Sequence, residues 1–175
     1  MTRKIEAFVV GAQKCGTTAL HHFLSQHPSI QMGVRKELHL FDNEKIDWTD
    51  ESIERIVDGC YSANDGIRMD VTPIYMYWPR SIERIAQYNP DAKIIVMLRD
   101  PIERAYSHWK MEHGRNMDGM DFSTAIRSGR NRFDKKHRVF SYVERGFYAE
   151  QLERIHQHFP NSQVLVLSQQ ELLHH

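Results

Sequence analysis

Two stretches of this sequence have residue types and spacing suited to holding an anion. The first is Gly11-Ala12-Gln13-Lys14-Cys15-Gly16-Thr17-Thr18. Its glycines have the spacing of the phosphate-binding GxxxxGK[ST] loop, but Thr17 fills the lysine slot and Lys14 lies inside the loop. A turn of this kind aims backbone N–H groups inward, and a helix starting at its end adds partial positive charge. The hydroxyls of Thr17 and Thr18 add donors, and Lys14 can reach a bridging oxygen or a terminal anionic group. The alternative is a glycine-containing turn with a solvated lysine. The second stretch is Ile94-Ile95-Val96-Met97-Leu98-Arg99-Asp100-Pro101, followed by Ile102-Glu103-Arg104-Ala105-Tyr106-Ser107. A planar guanidinium at Arg99 and a hydroxyl at Ser107 can grip one phosphate together. Otherwise Arg99 pairs with Asp100, and Ser107 is a surface serine.

The elements that must position these residues are legible from periodicity. Ile5 to Val10 is a short run of β-formers before the glycine turn. Thr17 to Leu24 reads as a helix with Leu20, Phe23 and Leu24 on one face, ended by Pro28. Trp48 to Asp58 has helical spacing at Ile53, Ile56 and Val57. Ile67 to Val71 suits a strand entering the Thr72-Pro73 turn, and Pro79 to Tyr88 a helix with proline in its first turn. Lys93 to Leu98 is continuous and β-branched, as expected of a parallel strand covered on both faces. Pro101 then opens a helix toward Glu112. Gly114 to Gly119 is a loop, and Asp121 caps a short helix through Arg127. Arg127 to Arg138 is a basic loop, Gly146 to Phe159 a helix, and Gln163 to Leu167 a last strand. Alternating strands and helices predict an α/β fold: an open parallel β-sheet flanked by helices, of the P-loop-like nucleotide-binding type. No repeat or linker interrupts it, so residues 1–175 are expected to form a single domain.

Composition narrows the function. The 175 residues hold 23 Lys plus Arg and 23 Asp plus Glu, for a formal net charge of zero. A nucleic-acid or membrane-surface binder would carry a basic excess, so no nucleic-acid partner is expected and any anion site must be local. The 11 His are scattered without HxxxH or HExxH spacing, and His174-His175 could be a tag remnant. Cys15 and Cys60 form no CxxC motif, which argues against a disulfide framework and a structural zinc site. No secretory leader follows Met1, and no apolar run approaches the ~18 residues of a membrane span. A cytoplasmic, bacterial-type protein is expected, with an excised luminal domain as the alternative. Oligomeric state is not legible.

Together the two stretches resemble the PAPS-dependent sulfotransferase family, whose donor is 3′-phosphoadenosine 5′-phosphosulfate (PAPS) and whose product is 3′-phosphoadenosine 5′-phosphate (PAP). GAQKCGTT is similar to its 5′-phosphosulfate loop and LRDPIERAYSHW to its 3′-phosphate motif. The resemblance implies that the loop residues Gln13, Lys14, Cys15, Gly16, Thr17 and Thr18 hold the 5′-phosphosulfate, and Arg99 with Ser107 the 3′-phosphate. Lys36-Glu37-Leu38-His39-Leu40-Phe41-Asp42 resembles the KE-x-H-x-F-D segment of the carbohydrate branch, the heparan sulfate enzymes and their bacterial relatives. That implies Glu37 as general base, a role a partly buried carboxylate of raised pKa would suit. His39 is the rival base. Lys36 either steadies the sulfate charge or pairs with Glu37. Sulfuryl transfer is expected to need no metal, with Lys14 stabilising charge on the leaving phosphate.

Met69-Asp70-Val71-Thr72-Pro73-Ile74-Tyr75 partly matches the family's E-K-T-P-x-Y segment, with Asp70 for Glu and Val71 for Lys. Asp70 either orients the acceptor or caps the Thr72-Pro73 turn. Gly146-Phe147-Tyr148-Ala149-Glu150-Gln151-Leu152 resembles the G-x-Y-x-x-Q-L helix start of bacterial members, where Tyr148 and Gln151 line the cleft or pack. Arg127, Arg130, Arg132, Lys135, Lys136 and Arg138 either draw an anionic acceptor or form a solvated loop. The implied function is sulfuryl transfer from PAPS to a hydroxyl or amine of a glycan or small-molecule acceptor. A P-loop kinase would need ATP and Mg²⁺, and the missing loop lysine speaks against it. Family members continue past the last strand into a loop that closes over the nucleotide. A short member, a piece of a longer chain, or a domain completed by another chain are therefore all expectations, as is a PAP- or PAPS-binding but catalytically incomplete domain.

Overall fold

A computed structural model describes residues 3–48, 52–62, 65–132 and 138–173. Strand and helix alternate as the patterning requires: β1 (Ala7–Gly11), α1 (Thr17–Ser25), β2 (Ile30–Met32), α2 (Ser52–Asp58), β3 (Ile67–Val71), α3 (Ser81–Tyr88), β4 (Lys93–Leu98), α4 (Pro101–Gly114), α5 (Phe122–Ser128), α6 (Tyr148–His158), β5 (Val164–Ser168) and α7 (Gln169–Leu173). The five strands form one sheet in the order β2-β3-β1-β4-β5, and every pairing is parallel.

The most apolar runs take the middle of the sheet. β1 is buried along its whole length, and Ile94, Val96 and Met97 of β4 are inaccessible beside it. Helices cover strands buried in this way on both faces. At the edge, β5 departs from the pattern: Leu165 is 51% and Val166 42% exposed, although both pair with β4. α1 also differs from the expected stripe, because Leu20 is buried while Phe23 faces solvent. β2 escapes detection in the sequence, since three residues are too few to show a period of two. The expected helix from Trp48 begins only at Ser52 among the described residues. Lys135, Lys136 and His174-His175 lie outside those residues.

Helix boundaries follow local chemistry. The Asp100 carboxylate accepts from the N–H groups of Ile102 and Glu103 and caps α4, with Pro101 in its first turn. Asp121 caps α5 in the same way through Thr124. Both satisfy donors that a helix start otherwise leaves unpaired.

Residues 36–42 have no regular structure, so the core holds them by side chains. The Phe41 ring is buried 5.4 Å from Phe8, 5.7 Å from Tyr75 and 5.3 Å from Tyr88. The Tyr75 hydroxyl accepts from the Leu40 N–H at 3.0 Å and donates to Asp70 Oδ2 at 2.7 Å. Thr72 donates to the other Asp70 oxygen at 2.7 Å. Burial pushes the Asp70 carboxyl up to about 6. Asp70 is thus a strut beneath the segment. Tyr75→Phe keeps the ring but removes a buried donor and acceptor together, and is expected to cost about 1–3 kcal/mol. Urea unfolding at pH 7 measures this, and an unchanged midpoint would contradict the strut.

Candidate active site

Because β1 lies between β3 and β4 and all three run parallel, their carboxyl ends open on one edge of the sheet. Open α/β sheets bind ligands at such an edge, where the connections diverge. β1 delivers the glycine loop there and β4 delivers Arg99. β3 ends at Val71, whose carbonyl accepts from the Glu37 N–H at 3.2 Å. Three stretches distant in sequence therefore converge on one cavity of about 470 Å³. Gln13, Lys14, Gly16, Thr17 and Thr18 line it, with Lys36, Glu37, Arg99 and Ser107. Pro73, Met111, Arg115 and Gln169 complete the wall.

The loop presents donors to this cavity. Gly16, at φ 92°, forms the start of α1, and no side chain caps the helix. Helix geometry leaves the N–H groups of the first turn without intrahelical acceptors, and they carry the positive end of the dipole. Lys14 Nζ lies 3.6 Å from the Met111 sulfur. Burial pulls the Lys14 pKa down first, and the Arg115 charge adds to this, with Lys36 and Arg99 acting in the same direction. A group of like charges held in one cavity makes its potential favourable to an anion.

Arg99 donates through Nε and Nη2 to Glu103 Oε2 at 3.0 and 2.9 Å. The expected alternative partner, Asp100, is occupied by its cap. The Arg99 carbonyl accepts from the Tyr148 hydroxyl at 3.0 Å. Tyr148 thereby steadies the Arg99 backbone from a neighbouring depression of about 370 Å³ and does not line the main cavity. Cys15 is buried, its N–H bonded to the Ala12 carbonyl and its sulfur 3.6 Å from the Tyr148 hydroxyl. Its thiol, pushed up by burial, packs under the loop. Asp70 is likewise beneath the wall and not in it. Gln151 is buried and donates to the Phe147 carbonyl at 2.8 Å, a packing position at the start of α6.

Glu37 is the one carboxylate among the lining residues named above. Its Oε1 accepts from Lys36 Nζ at 2.6 Å, and its Oε2 lies 3.5 Å from His39 Nε2. The bond to His39, then that to Lys36, holds the carboxyl down to about 2 against the opposing effect of burial. The raised pKa expected of a base is therefore not found in this state. His39 Nδ1 lies 3.0 Å from Asp42 Oδ2. Hydrogen bonds to Asp42 and then Glu37 push the His39 ring up to about 9. At neutral pH His39 is a cation between two carboxylates, and it faces a separate depression containing Arg35, Lys45 and Trp78.

Backbone strain concentrates in the same place. Among the described residues, five non-glycine positions have positive φ, and Lys14, Glu37 and His39 are three of them, at 72°, 62° and 54°. Such conformations cost of order ~1–3 kcal/mol each and persist only where the surroundings over-determine them.

Gln169, Met111 and Arg115 were not predicted for the site. Ser107 and Met111 on α4 and Arg115 at its C-cap recur every four residues, so extending the Ser107 face would have found two of them. Gln13 depends on buried Arg145, whose Nη1 donates to Gln13 Oε1 at 2.5 Å. No local pattern announces that contact. Among the described residues no helix is long and apolar enough to cross a membrane.

Comparisons with known proteins bear on the family. A sulfotransferase domain family model matches residues 4–174. Human heparan sulfate glucosamine 3-O-sulfotransferase 3B1 is 31% identical over 173 residues, covering 96% of this chain and 42% of the human protein. The chain therefore spans about two fifths of that relative's length. A crystal structure of a sulfotransferase from Alicyclobacillus acidocaldarius matches with a TM-score of 0.86 and 28% identity, covering 99% of this chain and 76% of that one. Mouse sulfotransferase SULT7A1, solved with PAP, shares the fold at a TM-score of 0.60 and 17% identity, covering 99% of this chain and 54% of that one. With the family model spanning the glycine loop, the Lys36–Asp42 segment and the Arg99–Ser107 stretch in a single match, the chain belongs to the sulfotransferase family.

Proposed function

We propose that this domain binds PAPS and passes its sulfuryl group to a hydroxyl or amine of a carbohydrate-like or small acceptor, with Glu37 receiving the acceptor proton. One observation carries the reading. An uncapped helix start, four cationic side chains and a single carboxylate share a cavity of about 470 Å³, within the usual range for a small-molecule site. The residues fit the donor: the loop and Lys14 would hold the 5′-phosphosulfate, and Arg99 with Ser107 the 3′-phosphate. When bound, PAPS supplies an activated sulfuryl group and a phosphate that can leave.

The chain's own residues orient and hold charge. Lys14 lies where charge would gather on the leaving side. Lys36 has two claims on it, since it pairs with Glu37 and also lines the anion cavity. A Lys36 ammonium drawn toward a bound anion would release Glu37 Oε1 and raise the basicity of that carboxylate. His39 stays protonated and orients Glu37 Oε2. The human relative is named for glucosamine 3-O-sulfation of heparan sulfate, which supports a glycan-like acceptor.

Isothermal titration of PAP without Mg²⁺ is expected to give micromolar binding, with ADP much weaker. Arg99→Ala should weaken PAP by about 1.5–3 kcal/mol, the scale of a charge-assisted hydrogen bond. Equal affinity for ADP, or an unaffected variant, would overturn the 3′-phosphate assignment. Glu37→Gln should keep PAP affinity and lower turnover by ~10²–10⁴; near-normal turnover would end its role as base. A third expectation concerns stability. The His39 pKa is raised from 6.5 to about 9, so its contribution is fully present below pH 6.5 and is lost as pH rises toward 9. His39→Asn should flatten the decline of the urea midpoint across that window, and an unchanged slope would contradict the paired imidazolium.

A further inference from the structure

Two arginines of the basic run before α6 do not behave as solvated charges: Arg132 pairs with buried Asp118 at 2.8 Å, and Arg138 reaches the segment that carries Glu37. Arg138 Nη1 donates to Asp42 Oδ2 at 2.5 Å, and Nη2 donates to the Asp42 carbonyl at 2.7 Å. Its guanidinium lies 4.0 Å from the centre of the Trp78 ring. Asp42 is 1% exposed although Arg138 itself is 43% exposed, so the contact reaches inward from the surface.

The backbone behind Arg138 is fixed as well. Its carbonyl accepts from Arg145 Nη2 at 2.7 Å. Arg145 is buried, and it also donates to Ser141 Oγ at 2.9 Å and to Gln13 of the glycine loop at 2.5 Å. One buried cation therefore joins the segment carrying Arg138 to the loop that lines the cavity.

Asp42 is the hinge of this arrangement. Its two carboxylate oxygens lie 3.0 and 3.3 Å from His39 Nδ1, and the far side of that ring, Nε2, lies 3.5 Å from Glu37 Oε2. A buried carboxylate gripped on one side by a ring can rotate with it. Arg138 opposes this: one prong holds Oδ2 while the other is tied to the Asp42 backbone carbonyl, so the planar guanidinium fixes the carboxylate relative to its own main chain. The charged groups around His39 are Glu37 and Asp42 from its own segment, Lys36 beyond Glu37, buried Asp70 of β3 beneath, and Arg138 behind Asp42, with Arg35, Glu44 and Lys45 along the depression it faces. Among the described residues, Arg138 is the cation that reaches Asp42 from a distant part of the chain.

We propose that Arg138 is a positioning residue for the base: by fixing the Asp42 carboxylate it sets the His39 ring and, through that ring, the direction of the Glu37 carboxylate. The proposal rests on Glu37 as the base. What sets Arg138 apart in the basic run is its partner Asp42, and its role is orientation within the chain and not attraction of an anionic acceptor.

The test uses the whole chain and two readouts. The proton between His39 Nδ1 and Asp42 should give a slowly exchanging downfield imidazole N–H resonance, assigned by its loss in His39→Asn. Arg138→Gln is expected to broaden or abolish that resonance while PAP affinity by titration stays within about twofold, since no charge in the cavity changes. Turnover should fall by about tenfold or more in kcat with little change in KM, the mark of a misdirected group. In the Glu37→Gln background, Arg138→Gln should add no further loss, because a residue acting only through Glu37 has nothing left to orient. Arg138→Lys keeps the charge without the two-pronged geometry and should show the same signature in weaker form, which covers a failure of Arg138→Gln to fold. A resonance that persists in both variants, or losses that multiply in the double variant, overturns the role of Arg138. Near-normal turnover of Glu37→Gln is a different result, and it removes the base assignment itself.

Discussion

Parallel pairing of β1 with both β3 and β4 is the constraint on which the site depends. A parallel strand directs its carboxyl end the same way as its neighbours, so whatever follows each strand must emerge at one edge. Here the glycine loop follows β1, the Thr72-Pro73 turn follows β3, and Arg99 follows β4. The register Val9 to Val71 and Val9 to Ile95 sets how closely they meet. Hydrophobic burial of the three central strands enforces that register, because a one-residue slip would turn each strand's buried side chains to the opposite face.

What the sheet gathers is electrostatically unfavourable by itself. Lys14, Lys36, Arg99 and Arg115 sit around one cavity, and their mutual repulsion contributes to the lowered Lys14 pKa. Partial relief comes from Glu37 on Lys36 and Glu103 on Arg99. The Glu103 carboxylate is exposed, so its hold on Arg99 is weak, whereas Glu37 is half-buried and more tightly paired. The strained backbone at Lys14, Glu37 and His39 persists because the surrounding structure fixes it.

Beneath the site, buried polar side chains replace regular secondary structure. Asp70, Thr72 and Tyr75 form a closed set of hydrogen bonds that holds the backbone at Leu40, and Phe41 seals it among aromatic rings. Arg145 does similar work on the far side by bonding Gln13, Ser141 and the Arg138 carbonyl. Such contacts are strong because they are dry, and each loses its value if one partner is removed.

Several features were determined by sequence alone, because local physics specifies them. The continuous apolar run of β4 and the strand–glycine–helix opening dictate a parallel sheet. Pro101 and Asp100 set the start of α4 through a cap that needs only neighbouring residues. The glycine loop, Arg99 with Ser107, and the Lys36–Asp42 segment announced themselves by type and spacing. Three further matters belonged to the tertiary structure. Strand order decided that these stretches face one cavity. Packing decided that Asp70, Cys15 and Tyr148 support the wall from behind, since motif position says nothing about which way a side chain turns. Long-range partners decided charge: Glu37 is held low and His39 high by groups whose distances only folding sets, and Arg138 meets Asp42 across 96 residues of chain. Periodicity and capping act over a few residues and are written in the sequence; hydrogen-bond geometry between distant side chains exists only once the core has closed around them.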